Sequence, residues 1–485
     1  MPARHISIAD QVPAPIREGI ARLRAELEVP DGFGPEVLAE AERRVAAGPL
    51  EVGERRDLTG LPFVTIDPEG SMDLDQAMHL ERAEDGYLVW YAIADVAAWV
   101  EPGGAVDAEA HRRGQTFYAP SQRAPLHPPV LSEGAASLLA DGRDRPALVW
   151  QVRLDAAGAQ TAATVERAMV RSTERLSYAG SQQQLDAGQA PEWLLLLREI
   201  GTLRQQQEVA RGGVSLNLPE QEIVADQDRW RINLRAPLPV EDWNAQISLL
   251  TGMAAAGIMR QAGVGVLRTL PAADERDVAR LRRTARSLGI AWPQEMGYPD
   301  FVRSLDVSQP RHLAMMNACT TLFRGAAYTL LEGQPAGEDL RHNALAVEYA
   351  HCTAPLRRLV DRYVGELCVH LCAQAPVPRW VLEALPALPE EMADSDRRAK
   401  KFERGVVDLT EALVLSDRIG EVFTGTLVDH DEKRGTGDLS IPEPSTEARV
   451  QLSGVSLGDT VRVRLEAVDL VAGRVSFVAA DAPPA

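Results

Sequence analysis

The stretch Thr65–Leu80, TIDPEGSMDLDQAMHL, places Asp67, Asp73 and Asp75 within nine residues, directly after the apolar run LPFV. Carboxylates confined in this way repel one another and raise one another's pKa unless something positive sits between them. Aspartate oxygens are hard ligands suited to Mg2+ or Mn2+, which keep several waters and take their remaining ligands from substrate phosphates. A divalent ion held at a phosphate can activate water, polarise phosphorus and stabilise the leaving oxygen. For a single Asp-x-Asp the commoner reading is a solvated turn, because Asp, Gly and Ser gather in turns. The apolar flanks here favour the metal.

A second segment, EYAHCTAPLRRLVDRY, supplies the opposite charge. Pro355 is expected to open a helix, with Arg357 and Arg358 in its first turn beside backbone N–H groups that attract anions. Guanidinium groups grip phosphate in a planar fork and stay charged through a reaction. Taken alone, an arginine pair at a helix start is more commonly a solvated surface feature.

The elements that must position these residues fall into three parts. Residues 1–56 read as a small helical unit, either a helix-turn-helix or a helical hairpin that packs on the main body, from the helical spacing of APIREGIARLRAEL and GPEVLAEAERRVA around the turn-rich VPDGFGP. Residues 57–417 are mixed, an α+β pattern. Early strands are expected at PFVTID, YLVWYAIADV and ALVWQVRL, then helices at WLLLLREIGTLRQQQEVA, WNAQISLLTGMAAAGIM, RHLAMMNACTTLFRGAAYTLL and LRRLVDRYVGELCVHLC. From 418 to 485 five short alternating runs split by Gly and Asp turns suit a small OB-type barrel.

The chain has 485 residues and a formal net charge of −19, which argues against a protein coated in positive charge but leaves room for a basic channel within an acidic exterior. No signal-like start and no apolar run of about 18 residues is present, so a cytoplasmic protein without a membrane span is expected. Cys319, Cys352, Cys368 and Cys372 are too few for a disulfide framework in so long a chain, and GELCVHLC reads as an apolar helix rather than a zinc site.

Together, TIDPEGSMDLD, YAIADVAAWVEPGGAVDAEAHRRGQTFY, PLHPPVLSEGAASL and HCTAPLRRLVD resemble, in that order, the RNB catalytic domain of the ribonuclease II and ribonuclease R family. The resemblance spans roughly residues 57–417, and the tail resembles the family's OB-fold RNA-binding module. It implies a mixed sheet with many helices around an RNA channel. It also implies a processive 3′-to-5′ exoribonuclease that threads single-stranded RNA to a buried Mg2+ or Mn2+ site and releases nucleoside 5′-monophosphates. By motif position Asp67, Asp73 and Asp75 would hold metal, with Asp73 and Asp75 counted as catalytic. Arg357 would steady the scissile phosphate with help from Arg358. Tyr118 and Tyr178 match aromatics that line the RNA path; for each, an ordinary core tyrosine is the alternative. A monomer is expected.

The sequence departs from that family in three places. Gln76, placed with the substrate-contacting residues, stands where many members carry a fourth acid, and Gln246 stands about where relatives often show a glutamate. These changes fit either a working subfamily or a catalytically weakened RNB protein serving as an RNA-binding scaffold. A third reading, an unrelated Mg2+ phosphohydrolase, does not account for the arginine pair and the barrel-like tail. The first 56 residues are also too few for the two cold-shock domains that open well-known bacterial relatives, so RNA entry and tolerance of structured RNA are expected to differ. Digestion of a duplex with a 3′ overhang checks this; a stop at the same distance from the duplex as in a cold-shock-bearing relative would refute it.

Overall fold

The computed structural model describes residues 6–8, 13–119, 122–216, 218–226, 229–332, 340–431, 435–441, 446–452, 454–456 and 458–480. Its centre is a seven-stranded sheet in the order Ser172–Ser177, Phe63–Asp67, Gln76–Ala83, Gly86–Ala94, Arg145–Asp155, Gln160–Val170, Arg56–Asp57. The two outer pairings are parallel and the inner ones antiparallel.

Side chains alternate across a strand, and here both faces are covered. Tyr91, Ile93, Leu148 and Trp150 enter one core with residues of the helices Glu192–Ala210, Pro239–Ala262 and Leu359–Cys372. Ala92, Ala94, Ala147 and Val149 enter the opposite core. Burial on both faces explains why YLVWYAIA is continuously apolar instead of alternating. Each large side chain so buried contributes about 1.5–3 kcal/mol.

The N-terminal helices are stitched into this body. Ala14–Glu26 packs Ile16 and Ile20 against Phe402, Val406 and Leu409 of the long helix Leu388–Leu415. Pro35–Ala47 places Ala41 in the core beneath the sheet. The two helices therefore bury their apolar faces in different clusters. At the other end the strands Thr446–Gln451, Thr436–Ile441, Val422–Asp431, Thr460–Asp469 and Arg474–Ala479 form, in that order, one antiparallel sheet whose edges return toward each other as a nearly closed barrel. Leu415, the last residue of the long helix, is buried among Phe423, Leu427, Leu465 and Phe477 inside it.

Two local expectations are corrected. RHLAMMNACTTLFRGAAYTLL is not one helix: it is helical over Pro310–Cys319, makes a 3-10 turn over Thr320–Phe323, and continues as the strand Ala327–Glu332. Gly325, at φ 88°, breaks the helical path, and the strand finds an antiparallel partner in Val264–Thr269. The second correction concerns Pro355, which lies in a turn and opens no helix; the helix starts at Leu359 with Arg358 as its N-cap. Among the described residues no helix is long and apolar enough to cross a membrane.

One glycine governs how the arginine segment reaches the centre. Gly252 faces the incoming chain so closely that Ala350 N–H donates to its carbonyl at 3.1 Å, and a Cβ at Gly252 would lie 2.5 Å from the Ala350 carbonyl oxygen. Gly252→Ala is therefore expected to cost about 1–3 kcal/mol by forcing the backbone apart. Urea denaturation measures it, and an unchanged midpoint would refute this account of the close approach.

Candidate functional site

Asp67 ends the strand Phe63–Asp67, paired in parallel with Ser177. Tyr178, the next residue, opens the helix Tyr178–Asp186 beside it and accepts a hydrogen bond from Asn244 Nδ2 at 3.1 Å. The loop to Asp75 is pinned by its middle residue: Leu74 is fully buried, its N–H donates to Ser137 Oγ at 2.9 Å, and its carbonyl accepts from Leu138 N–H at 3.0 Å. Asp73 and Asp75 thus leave opposite sides of an anchored residue. The Asp75 carbonyl is held in turn by Ala94 N–H at 2.9 Å.

The arginine segment meets this loop across the chain. Asp75 Oδ1 accepts from Leu356 N–H at 2.7 Å, and Asp75 Oδ2 faces Arg357 Nε at 3.6 Å. Gln76, the first residue of the next strand, donates its side-chain amide to the Thr353 carbonyl. Asp361 reaches back from the first turn of the helix, accepting from Ala354 N–H at 2.7 Å and pairing with Arg358 through Nε and Nη2 at 3.0 and 2.8 Å. Arg358 is therefore committed to shaping the turn, while Arg357 is left to face the acids. His127, kept neutral by burial that pushes it down to about 3, donates to the Pro355 carbonyl at 3.3 Å. Thr116 N–H donates to the Arg357 carbonyl at 3.0 Å, and Leu359 N–H to the Gly114 carbonyl at 2.9 Å.

Arg357 stands beside the buried Asp75, yet nearly half of its side chain, 48%, remains accessible. Tyr118 and Tyr178 are half-buried, and both lie within the field of Arg357. The ribbon Phe117–Ala119 with Gln122–Ala124 carries Tyr118 directly opposite Arg123.

Burial pushes the Asp67 carboxyl up to about 7; Arg357 pulls the other way and Asp73 adds to the rise. Burial also raises Asp75 well above the usual carboxylate range, opposed by Arg357 and the Leu356 N–H and reinforced by Asp73 and Asp361. Asp67 Oδ2 is buried with no hydrogen-bond partner. Asp73 turns to Arg123 Nη1 at 2.6 Å, and Arg123 Nη2 also holds Glu133 Oε1 at 2.7 Å. Among the described residues no three His, Cys, Asp or Glu side chains converge into a ready-made metal cage. The donor set fits a hard divalent ion taken by one or two carboxylates and completed by water and phosphate oxygens, with the orphaned Asp67 oxygen as one ligand.

Sequence reading named the acids, Arg357 and the tyrosines but missed Arg123, Glu133 and Asp361 as parts of the site. Asp361 carried a signal, its i+3 spacing from Arg358 at a helix start. Arg123 carried none until hairpin register placed it opposite Tyr118. Gln246 is buried and donates to Glu208 Oε2 at 2.7 Å.

A large mixed sheet with an acid loop at its strand ends, an arginine facing that loop and an attached five-stranded barrel defines an RNB-type architecture. Comparison with known families finds an RNB domain over residues 55–373 and an RNase II-type exonuclease C-terminal S1 domain over residues 421–480, and the chain belongs to the RNB-domain family. Ribonuclease R of Escherichia coli is 27% identical over 488 aligned positions that cover 90% of this chain; the match spans 59% of that protein's length. Ribonuclease R of Acidithiobacillus ferrooxidans is 38% identical over a shorter 152 positions, 31% of this chain and 34% of that protein. In structure, the apo form of Mycoplasma genitalium RNase R superposes with a TM-score of 0.84 at 20% identity, over 96% of this chain and 78% of that one. Yeast Ssd1, a pseudonuclease, shares the fold at a TM-score of 0.69 and 17% identity, over 92% of this chain and 57% of that one. The fold thus accommodates both outcomes, and chemistry rests on the site.

The Asp67 shift has a measurable consequence. In protein stripped of metal, folded Asp67 keeps its proton between about pH 4 and about pH 7, where the unfolded chain has lost it, so stability falls as pH rises through that window. Asp67→Asn is expected to be more stable than wild type by about 4 kcal/mol at pH 8 and nearly equal at pH 4. Urea denaturation at both pH values checks it; an equal gain at each would point to packing instead of ionisation.

Proposed function

We propose that this chain is a metal-dependent, processive 3′-to-5′ exoribonuclease that degrades single-stranded RNA to nucleoside 5′-monophosphates. The observation that carries the reading is Arg357, accessible, facing the buried Asp75 and within the field of Asp67 in a chain of the RNB-domain family. Relatives at this similarity include ribonuclease R, and the Mycoplasma genitalium RNase R fold has been seen in complex with ribose-methylated single-stranded RNA and with double-stranded RNA. The division of labour is proposed as residues 57–417 for catalysis, 418–485 for holding RNA and 1–56 as a helical unit on the catalytic body. A cytoplasmic monomer is part of the same proposal.

In this reading water attacks the last phosphodiester, the P–O3′ bond breaks, and the shortened RNA keeps a 3′-hydroxyl while the released nucleotide keeps its 5′-phosphate. Asp67 and Asp75 would hold a divalent ion such as Mg2+ or Mn2+, which supplies positive charge and an activated water at the phosphate. Arg357 binds the non-bridging oxygens as negative charge grows on them, held in place by its turn. Arg358 acts indirectly through Asp361 by fixing that turn. Tyr118 and Tyr178 offer ring faces to bases, a stack worth about 1–3 kcal/mol that accepts any sequence. Gln76 keeps the acid loop and the arginine turn in register through Thr353, beside the substrate path.

The test is a time course with 5′-labelled single-stranded RNA and Mg2+ or Mn2+, run beside Asp75→Asn. A metal-dependent ladder shortening from the 3′ end, slowed at least about 100-fold in the variant, is expected. RNA that both proteins retain without shortening would overturn the nuclease reading in favour of an RNA-binding scaffold.

A further inference from the structure

The nuclease reading leaves Arg123 and its partner Glu133 without a task. Its guanidinium spans two carboxylates, Asp73 Oδ1 at 2.6 Å and Glu133 Oε1 at 2.7 Å, with side chains 29%, 17% and 30% accessible respectively. Short charge-assisted bonds in such partly desolvated surroundings are the stronger kind. Both ends of the clamp are anchored. Glu133 lies in the π-helical turn Leu131–Ala135, whose Leu131 is buried, and Arg123 sits in the ribbon whose register partner is Tyr118.

The surrounding charges agree with this arrangement. Gln76 is neutral and already engaged with the Thr353 carbonyl. Asp67 has an unpartnered buried oxygen, and Asp75 Oδ2 has Arg357 no closer than 3.6 Å. Asp73 alone of the three acids has a guanidinium in hard contact. A second dication would have to displace that guanidinium from Asp73 while Arg357 already adds positive charge beside Asp67 and Asp75, so its binding is opposed by direct repulsion.

Resting on the proposed reading of the site, we propose that Arg123 is a resident counter-cation that withdraws Asp73 from metal binding, so that the site takes a single divalent ion on Asp67 and Asp75. Arg123 then does by a tethered charge what a second ion would do at Asp73. It also ties the Tyr118 ribbon to the acid loop, so the stacking ring and the metal ligands move as one unit.

The test is Mn2+ binding to the EDTA-treated full chain, followed by calorimetry and by electron paramagnetic resonance, which reports coupled Mn2+ pairs. Wild type is expected to bind one Mn2+ per chain; Asp67→Asn weakens it by about tenfold or more, whereas Asp73→Asn stays within about threefold of wild type. Arg123→Met is expected to gain a second, coupled Mn2+, and that gain disappears when Asp73→Asn is added. Arg123→Gln, which keeps a donor to Asp73 without the charge, decides the matter if circular dichroism shows the methionine variant misfolded. Two ions in wild type, a loss in Asp73→Asn equal to that in Asp67→Asn, or no second ion in a folded Arg123 variant would each overturn the counter-cation and leave the nuclease reading standing. Mn2+ binding that ignores Asp67 and Asp75 would overturn both.

Discussion

The site depends on one hydrogen bond, from the Leu356 N–H to the buried carboxylate of Asp75, between residues 281 positions apart. A carboxylate taken out of water needs partners, and Asp75 finds one in a backbone donor that exists only because the segment from 354 to 358 is turned toward it. Gln76 repeats the connection through Thr353. A fourth acid at position 76 would have had nothing to donate to that carbonyl, whereas the neutral amide does. The departure from the common family pattern therefore has a structural use, whatever it does to the charge of the site.

Below the turn lies a buried ionic layer that makes it rigid. Asp361 holds Arg358 and the Ala354 N–H; Arg362 next to it donates to Asp107 Oδ1 and to the Val100 carbonyl; Arg167 joins Asp95 to Glu366 one turn further along the helix. Buried ion pairs of this kind add little net stability over apolar packing, but losing one partner strands the other at a cost of about 3–5 kcal/mol. They act as a registration device. These pairs tie helix Leu359–Cys372 to the sheet and to the helix Ala105–Arg113, next to the turn that carries Arg357.

The motifs quoted from the sequence turn out to brace one another. PLHPPVLSEGAASL supplies Ser137 and Leu138 for the acid loop, His127 for the arginine turn and Glu133 for Arg123. RRGQTFY supplies Gly114 and Thr116 for Arg357 and Leu359 and then delivers Tyr118. Their shared order along the chain reflects a shared contact surface in space. The hard-donor oxygens of Asp67 and Asp75 and the accessible Arg357 are the features on which the candidate enzyme rests.

The sequence alone determined the classes of residue and the elements near them. Three aspartates after an apolar strand, an arginine pair near the start of a helix and five alternating runs in the tail are local patterns, because strand alternation, helical spacing and turn residues act over a few positions. Local pattern was misleading where a partner far along the chain prevailed, as for Ala327–Glu332, which reads as helix but pairs with Val264–Thr269. Which carboxylate is free and which is taken was decided only by the tertiary structure. Asp73 and Asp75 are chemically identical and two positions apart, yet one meets Arg123 and the other a backbone N–H from the far half of the chain. Spacing cannot distinguish them, because the charges that do so arrive by folding.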